Sequence, residues 1–259
     1  MYVFSEREEF FNNIISFFEN CSDFEGLIQI GSGAIGFSDI YSDIDLMAGC
    51  YDSECVKDAA TQLENFFRTM SSCHIEKRAW SDSVLGISVY LKNGLSTDIS
   101  FMPTAEIPIR SPLHKIIFAK TENFTALIND RIKKFNQQPK TCGADNSMHY
   151  RFINELRYAE IALLRKNYIF ADIALGNARQ LLLYAEATVE GKKLHQFKAY
   201  NTLSKNFIEK LKSTYPQNLN YESINSAKEN LLSLYVKTVK SSGTFNFDNS
   251  LLYLINCFE

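Results

Sequence analysis

Hydrophobic residues change their spacing along the chain, and the change predicts two kinds of structure. In the first 70 residues, short apolar runs alternate with segments in which apolar residues recur every three or four positions. Ser5, followed three residues later by Glu8, predicts a capping box at the start of the first helical segment. The predicted elements are helices at 5–20 and 53–70 and strands at 27–30 and 42–48.

Three consecutive strand patterns follow, over residues 74–80, 83–91 and 95–102. Asn93-Gly94 lies between the last two, and because both residues tolerate positive φ, the pair predicts a β-hairpin. Three prolines come next and are predicted to end the sheet: Pro103, Pro108 and Pro112. A helical connector is predicted after them, over residues 113–135.

The remainder of the chain has a helical pattern almost throughout. Residues 136–143, NQQPKTCG, are the best candidate for a linker. The helical segments beyond it are 147–166, 168–190, 204–213, 221–239 and 249–258. The predicted fold class is therefore α+β, with a mixed β-sheet and flanking helices in an N-terminal domain, 1–135, and an all-α helix bundle in a C-terminal domain, 144–259.

The composition indicates a globular protein. Apolar residues make up 46% of the 259 residues, and no apolar run approaches the roughly 20 residues that span a bilayer. The N-terminal residues are acidic where a signal peptide would be basic, so we expect a cytoplasmic protein without a membrane partner. The six cysteines include no C-x-x-C pair, which argues against a zinc site or a disulfide scaffold.

The charge is distributed unevenly. Residues 1–110 carry 7 Lys and Arg against 17 Asp and Glu, a net charge of −10, whereas residues 111–259 carry 20 against 13, a net charge of +7. An acidic first part suits a cation and a basic second part suits an anion, although solvated surface charge would produce the same totals. The basic residues are dispersed and show no basic-aromatic stripe, so nucleic acid is not a predicted partner.

The sequence GSGAIG, at residues 31–36, fits two phosphate-binding patterns. As G-x-G-x-x-G after a strand, with Asp52 about 20 residues beyond Gly31, it is typical of a dinucleotide loop. A helix should open directly after such a loop, whereas residues 37–43, FSDIYSD, are predicted to be a loop that enters a strand. The ATP-binding P-loop pattern is incomplete, because no Lys-Ser or Lys-Thr pair closes it.

The second pattern involves carboxylates further along the chain. Asp43 and Asp45 lie two positions apart in a predicted strand, so their side chains point to the same face and would repel each other unless a cation lies between them. Asp98 lies on the strand after the hairpin, and if that strand pairs beside the first, three carboxylates converge. Three acids with one or two Mg²⁺ ions suit phosphoryl transfer, and Gly31 and Ser32 would bind the β- and γ-phosphates.

These residues resemble a known family. Ile30-Gly31-Ser32, ten intervening residues and Asp43-Ile44-Asp45-Leu46 are similar to the signature of the DNA-polymerase-beta-like nucleotidyltransferase superfamily. The strand with Asp98, followed by Phe101-Met102-Pro103, resembles the third-acid strand of its small-molecule branch. The helical C-terminal part is similar in architecture to streptomycin adenylyltransferases and lincosamide nucleotidyltransferases. The motif-level resemblance covers about residues 28–103.

The resemblance implies a function and roles for five residues. Asp43, Asp45 and Asp98 would be catalytic residues and metal ligands, with Asp98 as ligand or general base, and Gly31 and Ser32 would bind the nucleotide. The implied reaction transfers a nucleoside monophosphate, AMP from ATP, to a hydroxyl of a small molecule, with an aminoglycoside or lincosamide antibiotic as candidate acceptor and pyrophosphate as product. Mg²⁺ is the implied cofactor, and ATP or another NTP is the co-substrate.

Several alternatives stay open at this point. The acceptor hydroxyl could belong to a protein, as in AMPylating enzymes of toxin–antitoxin pairs, or the chain could be a catalytically silent nucleotide-binding module. A homo-oligomer is neither indicated nor excluded. Six polar residues on predicted helices are candidates for the cleft, with solvated helix faces as the alternative: Glu155, Arg157, Arg165, Asp172, Arg179 and Glu186. The four histidines have no ligand spacing and receive no chemistry, and Trp80 is interpreted as a core or cleft-lining residue.

Overall fold

A computed structural model describes residues 2–37, 39, 41–70, 72–137, 145–192 and 200–256. The chain divides into two compact units, Met1–Gln138 and Pro139–Glu259. Most of the predicted linker 136–143 falls on residues 138–144, which lie outside the described residues. The observed class is α+β, with a mixed sheet in the first unit and helices in the second, as predicted.

The first unit is built on a six-stranded sheet with the order β3-β4-β5-β2-β1-β6. The strands are β1 Phe24–Ile30, β2 Ile44–Cys50, β3 Ser72–Ala79, β4 Leu85–Leu91, β5 Ser96–Pro103 and β6 His114–Ala119. The pairing of β2 with β5 is parallel and the other pairings are antiparallel, so the sheet is mixed. The parallel pair, β5 and β2, forms the centre of the sheet, and each of the two strands also pairs with a second strand on its other side.

Three helices pack on this sheet: α1 Phe4–Asn20, α2 Cys55–Arg68 and α3 Glu122–Gln137. Side chains of α1 and α2, such as Ile14 and Leu63, share one buried cluster with Leu46 of β2. Phe124 of α3 shares a different cluster with Met47, the next residue of the same strand. Because successive side chains of a strand point to opposite faces, α3 covers the face opposite to that of α1 and α2.

The prediction of one continuous helix over 113–135 was wrong, because this segment forms strand β6 and then helix α3. β6 pairs antiparallel with β1, with Leu27 opposite Phe118 and Ile30 opposite His114. The three prolines interrupt the chain before β6 without ending the sheet. The residues HKIIFA form hydrogen bonds with backbone groups of β1 that would otherwise be unpaired at the edge of the sheet. This long-range pairing outweighs the local helical pattern.

The start of α1 also differs from the prediction. The helix begins at Phe4, and the carboxylate of Glu6 accepts a hydrogen bond from the backbone N–H of Val3 at 2.8 Å. The predicted pair Ser5 and Glu8 lies within the helix instead. The N-cap is Val3, two residues before the predicted cap at Ser5. The helix buries the face that carries Phe10, Ile14 and Phe18, and this packing contributes more to its stability than a local cap does.

The second unit is helical over its described residues. Its helices are α4 Ser147–Leu164, α5 Tyr168–Val189, α6 Lys205–Lys212, α7 Tyr221–Ser241 and α8 Tyr253–Asn256. Lys166, with φ 56°, makes the tight turn between α4 and α5, and a 3-10 turn at Asn249–Leu252 replaces the first part of the last predicted helix. α4, α5 and α7 share one buried core that includes Phe152, Leu175 and Leu231.

No helix of the described ranges combines the length and the apolar content that crossing a bilayer requires.

Candidate functional site

A glycine turn at the end of β1 forms one side of the candidate site. Gly31–Ile35 makes a single 3-10 turn, in which Gly31 has φ +69° and Ser32 is half-buried. A Cβ added to Gly31 would lie 2.7 Å from Oδ2 of Asp45. Glycine is therefore required twice at this position, by the left-handed backbone and by the close approach of the carboxylate.

The parallel pairing of β2 with β5 places Asp45 directly beside Asp98. Neighbouring strands lie about 4.8 Å apart, and residues in register point to the same face, so both carboxylates share one patch of the sheet. Ile44 and Leu46, on either side of Asp45, are buried on the opposite face. The sequence condition for convergence, that the Asp98 strand pairs beside the Asp45 strand, is thus met in the structure.

Asp43 lies one residue before β2 and is exposed. Its Oδ1 accepts a hydrogen bond from the hydroxyl of Ser96, two residues before Asp98 on β5. Asp43 and Ser96 therefore lie side by side at the start of β2 and β5, two residues before Asp45 and Asp98 on the same strands.

Among the described residues, no group of three or more His, Cys, Asp or Glu side chains lies close enough together to hold a metal ion. Asp45 and Asp98 nevertheless provide adjacent carboxylate oxygens, which are the donors that Mg²⁺ prefers. The residues present thus fit a cation held by this pair, whereas Asp43, which lies beside Ser96, does not complete a group of three carboxylates in this structure.

Two residues that the sequence analysis did not single out contact Asp98. Nη2 of Arg78 lies 2.6 Å from Oδ1 of Asp98, and the hydroxyl of Ser88 donates to the same oxygen. Ser88 lies opposite Asp98 in the β4–β5 register, while Arg78 reaches over from β3. The alternation within each strand would have indicated their face, but only the register shows that they meet Asp98.

A third residue that the sequence pattern did not indicate, Arg7, holds the loop between the glycine turn and β2. Arg7 of α1 is only 2% exposed, and its Nη1 donates to the backbone carbonyl of Asp39 at 2.8 Å. Its guanidinium lies 3.8 Å from the centre of the Phe37 ring. Arg7 therefore ties the described part of this loop to α1, and the loop ends at Asp43.

Trp80 is not a core residue, since it is 58% exposed. Its ring lies against Gly86 of β4 on the face that carries Asp98. The interpretation of Trp80 as part of the core was therefore wrong, because the absence of a side chain at Gly86 lets the indole lie against the sheet surface while most of the residue stays exposed.

Among the polar candidates of the second unit, Arg179 is only 7% exposed. It donates to the backbone carbonyl of Thr214 at 2.7 Å, and its guanidinium lies 4.4 Å from the centre of the Tyr215 ring. Burial raises the pKa of Glu186, whose carboxylate accepts a hydrogen bond from Thr238. These contacts account for both side chains as structural groups of the bundle.

His149 is also buried, and its Nδ1 lies 2.7 Å from the hydroxyl of Tyr235. Burial lowers the pKa of His149 below its ordinary value. The neutral imidazole is therefore the form that this core favours, and we assign it a packing role.

The chain matches no protein-family model and no curated protein sequence. Among solved structures it is similar to an aminoglycoside 6-adenyltransferase from Bacillus subtilis, with 16% identity, 95% of each chain covered and a TM-score of 0.38. It is also similar to a nucleotidyltransferase-like protein from Exiguobacterium sibiricum, with 12% identity, 98% of this chain and 80% of the other covered, and a TM-score of 0.41. Both TM-scores are below 0.5, so neither likeness assigns a function.

Proposed function

We propose that the chain is an Mg²⁺-dependent nucleotidyltransferase that moves a nucleoside monophosphate, AMP from ATP, to a hydroxyl of a small molecule. The observation that carries the proposal is the meeting of three features on one face of the sheet: the Gly31 turn lies against Asp45, and Asp45 lies beside Asp98. The N–H of Gly31 donates to the carbonyl of Leu113 at 3.2 Å, so the donors that the turn would offer begin at Ser32. Such donors next to paired carboxylates suit a triphosphate that is bound together with a cation.

In the proposed reaction, the acceptor oxygen attacks the α-phosphorus of ATP. A new P–O bond forms to the acceptor while the bond between the α-phosphorus and its bridging oxygen breaks, and pyrophosphate leaves with that electron pair. Asp98 takes the proton of the acceptor hydroxyl, either directly or through water. Gly31 and Ser32 would bind the departing β- and γ-phosphates, which places the leaving group at the end of β1.

Asp45 and Asp98, with Asp43 as third candidate, would hold the Mg²⁺. The ion, when bound, neutralises charge on the triphosphate and lowers the pKa of the attacking hydroxyl. Arg78 and Ser88 hold the carboxylate of Asp98 in one orientation, as hydrogen-bonded neighbours of ligating carboxylates commonly do.

The dinucleotide alternative receives less support from the same region. The glycines form a five-residue 3-10 turn, and the next regular element is strand β2. A phosphate bound at the turn would therefore not contact the N-terminus of an α-helix, as it does in a dinucleotide-binding loop. Asp52, the candidate ribose ligand, instead accepts hydrogen bonds from the backbone N–H groups of Glu54 and Cys55, each at 2.9 Å. These bonds lower the pKa of Asp52 and account for the residue as a hydrogen-bond acceptor in the turn before α2.

The acceptor rests on the sequence resemblance alone. An aminoglycoside or a lincosamide is the small-molecule class to test first, and a protein hydroxyl is the alternative. Labelled ATP incubated with the protein and a cell extract separates the two, because label enters small solutes in the first case and a protein band in the second.

The test of the reaction is pyrophosphate release, measured with each NTP and with a panel of aminoglycosides and lincosamides. We expect release to require Mg²⁺ and to fall about 100-fold or more in Asp45→Asn and Asp98→Asn, as for the loss of one preorganised electrostatic group. Asp58→Asn is the matched control, because Asp58 is an exposed acid on α2, away from the site. Wild-type rates in both site variants would contradict the metal and base assignments.

A further inference from the structure

Trp80 is held in a fixed position on the sheet surface. It directly follows β3, and its backbone N–H donates to the carbonyl of Val84 at 2.9 Å, which closes the turn that leads into β4. A Cβ added at Gly86 would lie 2.6 Å from the carbons of the indole ring. The ring thus rests on a bare stretch of backbone, and 58% of the residue is still exposed.

This exposed ring belongs to the same face as the candidate site. Arg78 connects the two, because its guanidinium carbon lies 5.8 Å from the centre of the indole while its Nη2 contacts Asp98. Trp80 and the Gly31 turn therefore lie on opposite sides of Asp98, since β4 and β3 follow β5 in one direction and β2 and β1 follow it in the other.

The direction of the reaction determines which ligand would reach Trp80. In an in-line displacement, the attacking oxygen approaches the α-phosphorus from the side opposite to the leaving group. With the leaving pyrophosphate at the Gly31 turn, the acceptor approaches over β5, β4 and β3. An acceptor bound there has its ring within reach of Trp80.

The charges on this side favour a cation. Glu76 points to the same face as Asp98, because the two are linked through Ser88 in the strand register, and its side chain is 57% exposed next to His74. Glu106 is exposed, and its Oε2 accepts a hydrogen bond from Ser83 at 3.0 Å, within the turn that follows Trp80. The positive charge of Arg78 next to the indole is paired with the carboxylate of Asp98, so Glu76 and Glu106 leave an excess of negative charge on this side. An indole face in such surroundings attracts positively charged ring compounds.

We propose that Trp80, with Glu76 and Glu106, forms the acceptor subsite and that it binds a ring compound carrying a positively charged amine. The subsite rests on the proposed nucleotidyl transfer for its role, but its binding of such a compound needs neither ATP nor Mg²⁺. Trp80 is then a specificity-determining residue, which selects the acceptor while Asp45 and Asp98 perform the transfer.

Trp80 is the only tryptophan of the chain, so its fluorescence reports on the subsite directly. The experiment titrates the full-length protein, without nucleotide, with kanamycin, streptomycin and lincomycin as cationic probes and with sucrose as a neutral one. We expect a saturable fluorescence change with at least one cationic probe and none with sucrose. No saturable change with any cationic probe would overturn the proposal.

Variants then distinguish the contribution of the Trp80 ring from that of its neighbours. The affinity of each variant for the probe that gave a fluorescence change is measured by calorimetry. We expect Trp80→Ala and Gly86→Ala to weaken its binding about tenfold or more, a loss of about 1.4 kcal/mol, and Glu106→Gln to weaken it less. Trp80→Phe should retain part of the affinity. Tyr51→Ala is the matched control, because Tyr51 is 48% exposed and lies just past the end of β2. Unchanged binding in Trp80→Ala would contradict the subsite.

The same variants are titrated with Mg²⁺ and α,β-methylene-ATP, an analogue whose α–β bridge is not cleaved. We expect the nucleotide affinity of Trp80→Ala to stay within about twofold of wild type. A tenfold loss of nucleotide affinity with unchanged probe binding would assign Trp80 to the nucleobase and overturn the acceptor subsite. Absence of pyrophosphate release with intact probe binding would instead contradict only the nucleotidyl transfer.

Discussion

At the scale of single residues, the contact between Arg78 and Asp98 has the most direct consequence for activity. Both side chains are about half exposed, at 46% and 47%, so the pair by itself contributes little to stability. Its geometry matters more, because Arg78 donates to both Asp98 and Ser88 and thereby limits the rotation of the carboxylate.

We expect Arg78→Met to lower pyrophosphate release about 10-fold to 100-fold and to raise the Mg²⁺ concentration needed for half-maximal activity, as for other groups that orient metal ligands. Arg78→Lys should recover only part of the loss, because a lysine lacks the planar fork of arginine. The measurement is a Mg²⁺ titration of the initial rate.

Arg68→Met is the control for this variant, because Arg68 is an exposed arginine of α2 paired with Glu64. Its Mg²⁺ titration should match that of wild type. If Arg78→Met shows wild-type rates and an unchanged Mg²⁺ requirement, Arg78 has no positioning role.

At the scale of elements, four strands carry one continuous row of side chains on the sheet face opposite to α1 and α2. The registers link Glu76 of β3, Ser88 of β4, Asp98 of β5 and Asp45 of β2 in that order. Each strand contributes one polar side chain, so a one-residue slip of any strand would turn its member to the buried face. The site therefore depends on strand register as much as on residue identity.

Helices α4 and α7 of the second unit meet at His149 and Tyr235, and this contact predicts a pH dependence of stability. Because burial lowers the pKa of His149 in the folded state from 6.5, the unfolded state binds more protons at mildly acidic pH. Stability should therefore fall as the pH decreases below about 6.5, until it passes the folded-state pKa.

Urea unfolding followed by circular dichroism at several pH values tests this. Replacement of His149 by Gln should lower stability at neutral pH, because the buried contact with Tyr235 changes, and should make the pH dependence below 6.5 shallower. An equally steep dependence in wild type and variant would show that other groups cause it. Replacement of the exposed His74 by Gln is the control.

The shared face of Asp43 and Asp45 could be predicted from the sequence because it depends on local alternation, whereas the position of Asp98 beside Asp45 could be stated only as a condition, because it depends on the long-range pairing of β2 with β5. Asp43 and Asp45 lie on one face of any strand that contains them, and the Asn93-Gly94 hairpin pairs the strand of Asp98 with β4. Arg78 and Ser88 could not be assigned in this way, because the registers of β3 with β4 and of β4 with β5 are long-range properties. β6 was missed for the same reason, since its partner β1 lies about 90 residues earlier.

At the scale of the whole molecule, the residues of the candidate site all belong to the unit Met1–Gln138. This unit contains the acidic part of the chain, where the net charge of residues 1–110 is −10. Such a charge favours metal ions and cationic acceptors and disfavours a free triphosphate, so we expect nucleotide to bind together with Mg²⁺. The second unit carries a basic excess, and its buried Arg179 and His149 make contacts within that unit.

The most direct test of the account is calorimetry of α,β-methylene-ATP binding to wild type and to Asp45→Asn, with and without Mg²⁺. The account predicts nucleotide binding to wild type that requires Mg²⁺ and that is at least about tenfold weaker in Asp45→Asn. NAD, titrated in the same way without metal, should not bind. Nucleotide binding that is equally tight without Mg²⁺ and in Asp45→Asn, or tight binding of NAD without metal, would contradict the proposed metal–triphosphate site.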